Sequence, residues 1–235
     1  MKLFELPKVQ ANTATISNFL ETYRELREFV SKSTMSKKKK TEAFNTNDEN
    51  LKLMTDAYFN TVLNALINAQ PKTVEVKDEH GKMITHDLYQ WYQYIPASTK
   101  YHDVENGGLY HHSQKLFYNW VKSLLQMKCD YPIEKACIVA LIHDFCKLTH
   151  YYYSHDDNQW HNIYPETYHH AKKSLEMAKD IGIEITPDME ALILMHMSGF
   201  QNEEDKLAMS LEAKNWLYNL DNIQILQLLN CADCK

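Results

Sequence analysis

Residues 137–150 read CIVALIHDFCKLTH: an apolar run that ends in His143-Asp144, with Lys147 one helical turn later. Ile138, Val139, Ala140, Leu141 and Ile142 are the kind of stretch a core buries. An imidazole and a carboxylate at the end of such a stretch are costly to desolvate unless something pairs with them. A divalent metal pairs with both, since imidazole and carboxylate oxygen ligate the same ions. An isolated His-Asp pair also suits a surface acid beside a core histidine, so the reading turns on whether other ligands converge on it.

Four further residues meet that requirement. Leu109, His112, Leu116, Trp120 and Leu124 recur at i, i+3 and i+4 spacing, which puts His112 on a buried helix face and turns His111 elsewhere. His170 aligns with Ser174, Met177 and Ala178, and His196 follows Leu192 and Met195. Asp233 sits one turn beyond Leu229 on the stripe Ile225, Leu229 and Ala232. Several histidines and acids in one small core are hard to satisfy without a shared ligand. A mixed His/carboxylate set without thiolates suits iron, manganese, zinc or magnesium.

The elements that must position these groups are mostly helices. Five glycines and six prolines in 235 residues leave little turn material for an all-β fold. Residues 1–12 read as an irregular arm, followed by an amphipathic helix over Ile16, Phe19, Leu20, Tyr23, Leu26, Phe29 and Val30. Residues 31–50, with Lys37 to Lys40, read as a solvated connection. A second helix runs from about 50 to 69 and ends at Pro71. Val74 and Val76, the turn Glu79-His80-Gly81 and residues 83–85 predict a short β-hairpin. Residues 1–90 are thus expected to be an accessory layer on a second unit, 91–235. There, helices are predicted over 109–124, 133–147, 167–181 and 207–220, with residues 148–167 as a loop near the site. Thr186-Pro187-Asp188 signals a further helix start, with a capping hydroxyl, and Gly199 its end. Asp221-Asn222 is expected to cap the last helix.

A net charge of -6 disfavours a large footprint on duplex nucleic acid. The five cysteines, Cys129, Cys137, Cys146, Cys231 and Cys234, are odd in number and irregularly spaced, which suits reduced thiols in a cytoplasmic protein. No apolar run reaches the roughly 20 residues that span a bilayer.

In order along the chain, Pro96-Ala97-Ser98-Thr99, Gly107-Gly108-Leu109, His112-Ser113, His143-Asp144-Phe145-Cys146-Lys147, His170 with Lys173-Ser174, His196-Met197-Ser198-Gly199-Phe200 and Ala232-Asp233 resemble the HD superfamily of metal-dependent phosphohydrolases. The likeness is to a branch common in bacteria and phages, and it covers residues 91–235. It implies an all-α helical bundle there. By position it implies His112, His143, Asp144 and Asp233 as core metal ligands, with Asp221 as the substitute for Asp233. Relatives with two metals carry histidines at the positions of His170 and His196, and Asp144 would then bridge the ions; His169 competes with His170 for that place. One or two divalent ions are implied, manganese, iron, magnesium, zinc and nickel being undistinguished.

The activity so implied is hydrolysis of a phosphate ester by metal-activated water. Asp144 and Lys147 are the catalytic candidates, Lys147 stabilising the phosphate or protonating the leaving oxygen. Lys115, Lys172 and Lys173 are further phosphate-binding candidates, and Tyr151 to Tyr153, Trp160 and His161 are candidates to stack on a base. The expected substrate is a small phosphorylated molecule, a nucleotide first. A single-strand phosphodiesterase and a non-catalytic nucleotide-binding regulatory module remain as alternatives.

Overall fold

The computed structural model of the chain describes residues 7–69, 72–164, 170–197 and 203–234, with the side chains of 7–16, 69, 203 and 204 excepted. Residues 1–6 of the expected arm, Pro71, residues 167–169 with His169, and Gly199-Phe200 lie outside the described residues. Among the described residues the fold is all-α, with ten α-helices and two small antiparallel hairpins.

Helices α1 (Pro7–Lys32) and α2 (Lys37–Ala69) pack on each other as a long hairpin. Helix α1 starts at Pro7, inside the stretch expected to be an irregular arm, where the fixed φ and missing N–H of proline suit the first turn. The expected connection over 31–50 is also mostly helix, broken only around residues 33–36. Lys37 to Lys39 are exposed there, as a solvated lysine run should be. They are helical because Leu51, Tyr58, Phe59, Val62, Leu63 and Leu66 of the same helix are buried, and tertiary burial outweighs local charge repulsion.

The predicted hairpin forms from β1 (Thr73–Lys77) and β2 (Met83–Asp87), paired Val76 to Ile84. Val74 and Val76 are its buried face, and Gly81 takes the positive φ of 77° at the turn. Asp87 then caps the short α3 (Leu88–Tyr92) through the amides of Tyr89 and Gln90.

The core centres on α4 (Gly108–Met127) and α5 (Ile133–Ile142), with Phe117, Trp120, Ile138 to Ile142 and Phe59 of α2 in one apolar cluster. Helix α5 stops at Ile142, short of the expected Lys147. Asp144 leaves the helical region at φ -113°, and a 3-10 helix (Phe145–Thr149) carries Lys147. The expected loop beyond it holds a second hairpin, β3 (Tyr151–Ser154) with β4 (Gln159–Asn162). Its cross-strand pairs Tyr152/His161 and Tyr153/Trp160 are aromatic pairs of the kind that stabilise sheets, and Asn158 supplies the positive φ of the turn.

Helices α6 (His170–Asp180) and α7 (Pro187–Met195) follow. Thr186 stands at the N-cap of α7 as predicted, but its hydroxyl makes no capping bond. The helix expected over 207–220 is split into α8 (Glu203–Ala208) and α9 (Leu211–Leu217), because Ser210 caps α9 through the Ala213 amide. Asn219, not Asp221-Asn222, caps the final α10 (Leu220–Asp233). Among the described residues no helix is long and apolar enough to cross a membrane.

Candidate metal centre

Helices α4, α5 and α10 deliver His112, His143, Asp144 and Asp233 to one buried point. His112 Nε2 lies 3.2 Å from His143 Nε2, 3.8 Å from Asp144 Oδ2 and 3.0 Å from Asp233 Oδ1. His143 Nε2 lies 3.2 Å from Asp144 Oδ2 and 3.6 Å from Asp233 Oδ1. Ligand atoms about 2.1 Å from one ion sit about 3.0–3.4 Å from each other, so this spacing suits a shared cation. A second pair adjoins it. His170 Nε2 is 3.2 Å from His196 Nε2, and these two form a group with Asp144 that could hold another ion. Asp144 belongs to both groups.

The backbone sets which ring nitrogen is available. His143 caps the end of α5 and its Nδ1 donates to the Ala140 carbonyl at 2.8 Å. His196 caps the end of α7 and its Nδ1 donates to the Ile193 carbonyl at 2.6 Å. In each neutral ring the proton is thereby kept on Nδ1, and Nε2 presents a lone pair. Two imidazole nitrogens 3.2 Å apart without a cation between them repel unless one takes a proton. The donor set therefore fits a divalent ion at His112, His143, Asp144 and Asp233, and a second at Asp144, His170 and His196.

Charges follow the same logic. Burial would raise the Asp144 carboxyl, but Lys147 and His143 hold it well below the usual range. Burial opposes ionisation of Asp233 too, and hydrogen bonds from His112 and His143 overcome it. Burial alone would lower His143; Asp144 and Asp233 instead push it up to about 10, so it carries the proton of the metal-free cluster. Burial and the neighbouring His196 push His170 down to about 4, and burial lowers His112 and His196. Two carboxylates are thus balanced by the His143 imidazolium and the Lys147 ammonium. Lys147 Nζ is 2.6 Å from Asp144 Oδ2. Burial disfavours its charge, yet Asp144 raises it above an ordinary lysine.

The supporting shell explains the motif residues around the ligands. Gly107 caps α4 at φ 83°, and a Cβ on Gly108 would stand 1.9 Å from the Asp103 carbonyl oxygen. Only glycine allows that approach, which fixes the start of the helix carrying His112. Ser98 accepts hydrogen bonds from the Lys100 and Tyr101 amides, and the Tyr151 hydroxyl donates to the Ala97 carbonyl. Ser174 accepts the Cys146 amide at 3.0 Å and so ties α6 to the turn after Asp144.

Among the other candidates, Lys115 is exposed on α4. Lys172 pairs loosely with Glu176 at 3.9 Å, and the Lys173 ammonium lies over the Tyr164 ring at 5.2 Å. Asp221, the substitute ligand, lies in the first turn of α10, at the opposite end from Asp233. Sequence reasoning missed Asp103. Its carboxylate lies 3.6 Å from His112 Nδ1 and 3.4 Å from His102 Nδ1, the far side of the ligand ring. The signal was the dipeptide His102-Asp103 itself, but its approach to His112 depends on a turn at Asp103 with φ 46° that no periodicity reveals.

No family model, curated protein or solved structure matches this chain.

Proposed function

We propose that this chain is a metal-dependent phosphohydrolase of the HD type, cleaving a phosphate ester of a nucleotide or similar small phosphate. The observation that carries the reading is the convergence of His112, His143, Asp144 and Asp233 at 3.0–3.8 Å, with His170 and His196 beside Asp144. These are the residues the family resemblance selects, and they come from five separate elements. A divalent ion bound there supplies Lewis acidity, acidifying water and neutralising phosphoryl charge. Asp144 and Asp233 are held as carboxylates at neutral pH, and the backbone bonds of His143 and His196 keep their Nε2 atoms aimed inward. Lys147 is a permanent cation on the rim of the cluster, 18% exposed, able to pair with a phosphoryl oxygen on the substrate side. A cytoplasmic setting is part of the same proposal, since the five cysteines are odd in number and irregularly spaced.

The test is metal analysis of purified protein followed by a phosphate-release screen over nucleotides and sugar phosphates. His143→Ala and Asp144→Ala are the controls. Release that needs a divalent ion and is lost in both variants supports the reading; equal release in both sinks it.

A further inference from the structure

His143 and His196 each turn Nδ1 to a backbone carbonyl three residues back, at 2.8 and 2.6 Å. Among the described residues the buried His112 ring has no such bond. Its Nδ1 faces the Asp103 carboxylate, with Oδ2 at 3.6 Å, and its Nε2 faces Asp233 Oδ1 at 3.0 Å. A neutral imidazole carries one proton, placed by the better acceptor. In the metal-free ring that acceptor is Asp233, which draws the proton to Nε2. A ligating Nε2 must be bare, so the proton has to move to Nδ1 before His112 can hold an ion. Something must receive it there.

The backbone around Asp103 is fixed by separate contacts. Asp103 has φ 46°, a left-handed conformation that few non-glycine residues adopt and that the surroundings must hold. Its carbonyl accepts the Ala97 amide at 2.9 Å. The Ser98 hydroxyl accepts the Lys100 and Tyr101 amides and shapes the turn just before it. Gly108 lets the same carbonyl approach the start of α4, the helix that carries His112. The turn and the helix are therefore locked together, and the Asp103 side chain is delivered to the back of the ligand ring. His102 stands on the outer side of the carboxylate, with Nδ1 at 3.4 Å from the same Oδ2 and half of its side chain exposed.

We propose that Asp103 is a positioning residue of the metal centre: its carboxylate receives the Nδ1 proton of His112 and so leaves Nε2 bare for an ion. Asp103 acts through the ring and is not itself a ligand. At 3.6 Å the contact is an ion-pair approach, and a closing of about 0.5 Å makes it a normal hydrogen bond. A carboxylate behind a ligating histidine fixes the tautomer and the ring orientation and makes the ligand more basic. His102 is not needed for this role. The inference rests on the metal-centre part of the phosphohydrolase reading and on no particular ester.

The test is calorimetric titration of the full chain with zinc and with manganese, without substrate. Asp103→Gly removes the carboxylate while suiting the positive φ, so the metal-free variant should melt no lower than the wild type. Its metal affinity should nevertheless fall about 10–100-fold. Asp103→Asn, whose amide oxygen still accepts, should lie between the two, and His102→Ala should bind as the wild type does. Long-range proton–nitrogen NMR correlations of zinc-loaded, ¹⁵N-histidine-labelled protein should show the His112 proton on Nδ1. The inference alone is overturned if Asp103→Gly and Asp103→Asn both bind metal as tightly as the wild type, or if zinc sits on His112 Nδ1. It is also overturned by an additional ion that His102→Ala removes. Asp103 would then be a ligand, since His102, Asp103 and His112 are themselves grouped closely enough to hold an ion. A wild type that binds neither metal sinks the metal centre as well.

Discussion

Lys147 sets its ammonium 2.6 Å from Asp144 Oδ2, the same oxygen that lies 3.2 Å from His143 Nε2. One carboxylate oxygen thus faces a fixed cation on one side and the metal-ligand cluster on the other. In the metal-free protein Lys147 partly does the work of the ion, and a metal arriving at Asp144 competes with it. Lys147→Met should therefore tighten metal binding, by about fivefold for a pair contributing on the order of 1 kcal/mol, while phosphate release falls about 100-fold or more. Metal titration by calorimetry and a turnover assay at saturating metal read the two effects separately. Parallel loss of both would show that Lys147 supports the site's structure and not the substrate.

His143 leads to a pH dependence with a definite sign. With its pKa raised to about 10 by Asp144 and Asp233, it is protonated in the metal-free cluster at neutral pH, and a metal at its Nε2 must displace that proton. Metal affinity should rise about tenfold per pH unit between roughly pH 6 and 9, with about one proton released per first ion bound. Calorimetry in buffers of different ionisation enthalpy counts that proton. At about 1,000 times its dissociation constant the ion adds about 4 kcal/mol of stability, or about 8–16 °C in Tm for a chain of this size. His143→Ala should abolish the shift.

The ends of α5 and α7 are aligned by bonds two helical turns away from the candidate metal centre. Lys135 donates to Asp188 at 2.8 and 3.0 Å, and Tyr131 donates to it at 2.9 Å. Lys135 precedes His143 by eight residues, and Asp188 precedes His196 by eight. Two parallel helices pinned at matched positions thus bring both histidines to one level, with ring centroids 5.2 Å apart. Burial would raise the Asp188 carboxyl, but Lys135 and Tyr131 lower it. Its contribution is therefore present above about pH 4, its unfolded value, and is lost as pH falls through the lowered folded value. Lys135→Met should cost about 1–3 kcal/mol at pH 7 and markedly less near pH 2. Urea unfolding at both values checks it.

How far the sequence could be read depended on the range of the interactions involved. His112 was legible because Leu109, Leu116 and Trp120 share its helical face, all buried. The pair His143-Asp144 was legible as chemistry, but not as a helix end, because the backbone break at Asp144, with φ -113°, leaves no mark on the apolar run before it. The hairpin around Tyr152 and Trp160 was missed because its four-residue strands are too short to show alternation, and cross-strand ring pairs hold them. The lysine run before Thr41 looked like a loop because its helix depends on burial that begins further along, at Leu51. Asp103 was invisible for a similar reason: its approach to His112 is made by a turn and not by a period.

Gly108 and Gly182 separate steric need from conformational need. A Cβ at Gly108 would stand 1.9 Å from the Asp103 carbonyl oxygen and 2.9 Å from the Ala97 nitrogen, both backbone atoms that no side-chain rotation can move. Gly182 has φ +85° and nothing within 4 Å of its Cβ position. Gly182→Ala should thus cost only the left-handed strain, about 1–2 kcal/mol. Gly108→Ala must shift the loop over 97–103 or the start of α4, and should cost about 3 kcal/mol or more. The same shift moves Asp103 against His112, so metal affinity should fall in Gly108→Ala and remain unchanged in Gly182→Ala. Urea unfolding and metal titration of the two variants side by side measure both effects. If Gly108→Ala kept wild-type stability and metal affinity, the close packing of the loop on α4 would have no part in holding His112.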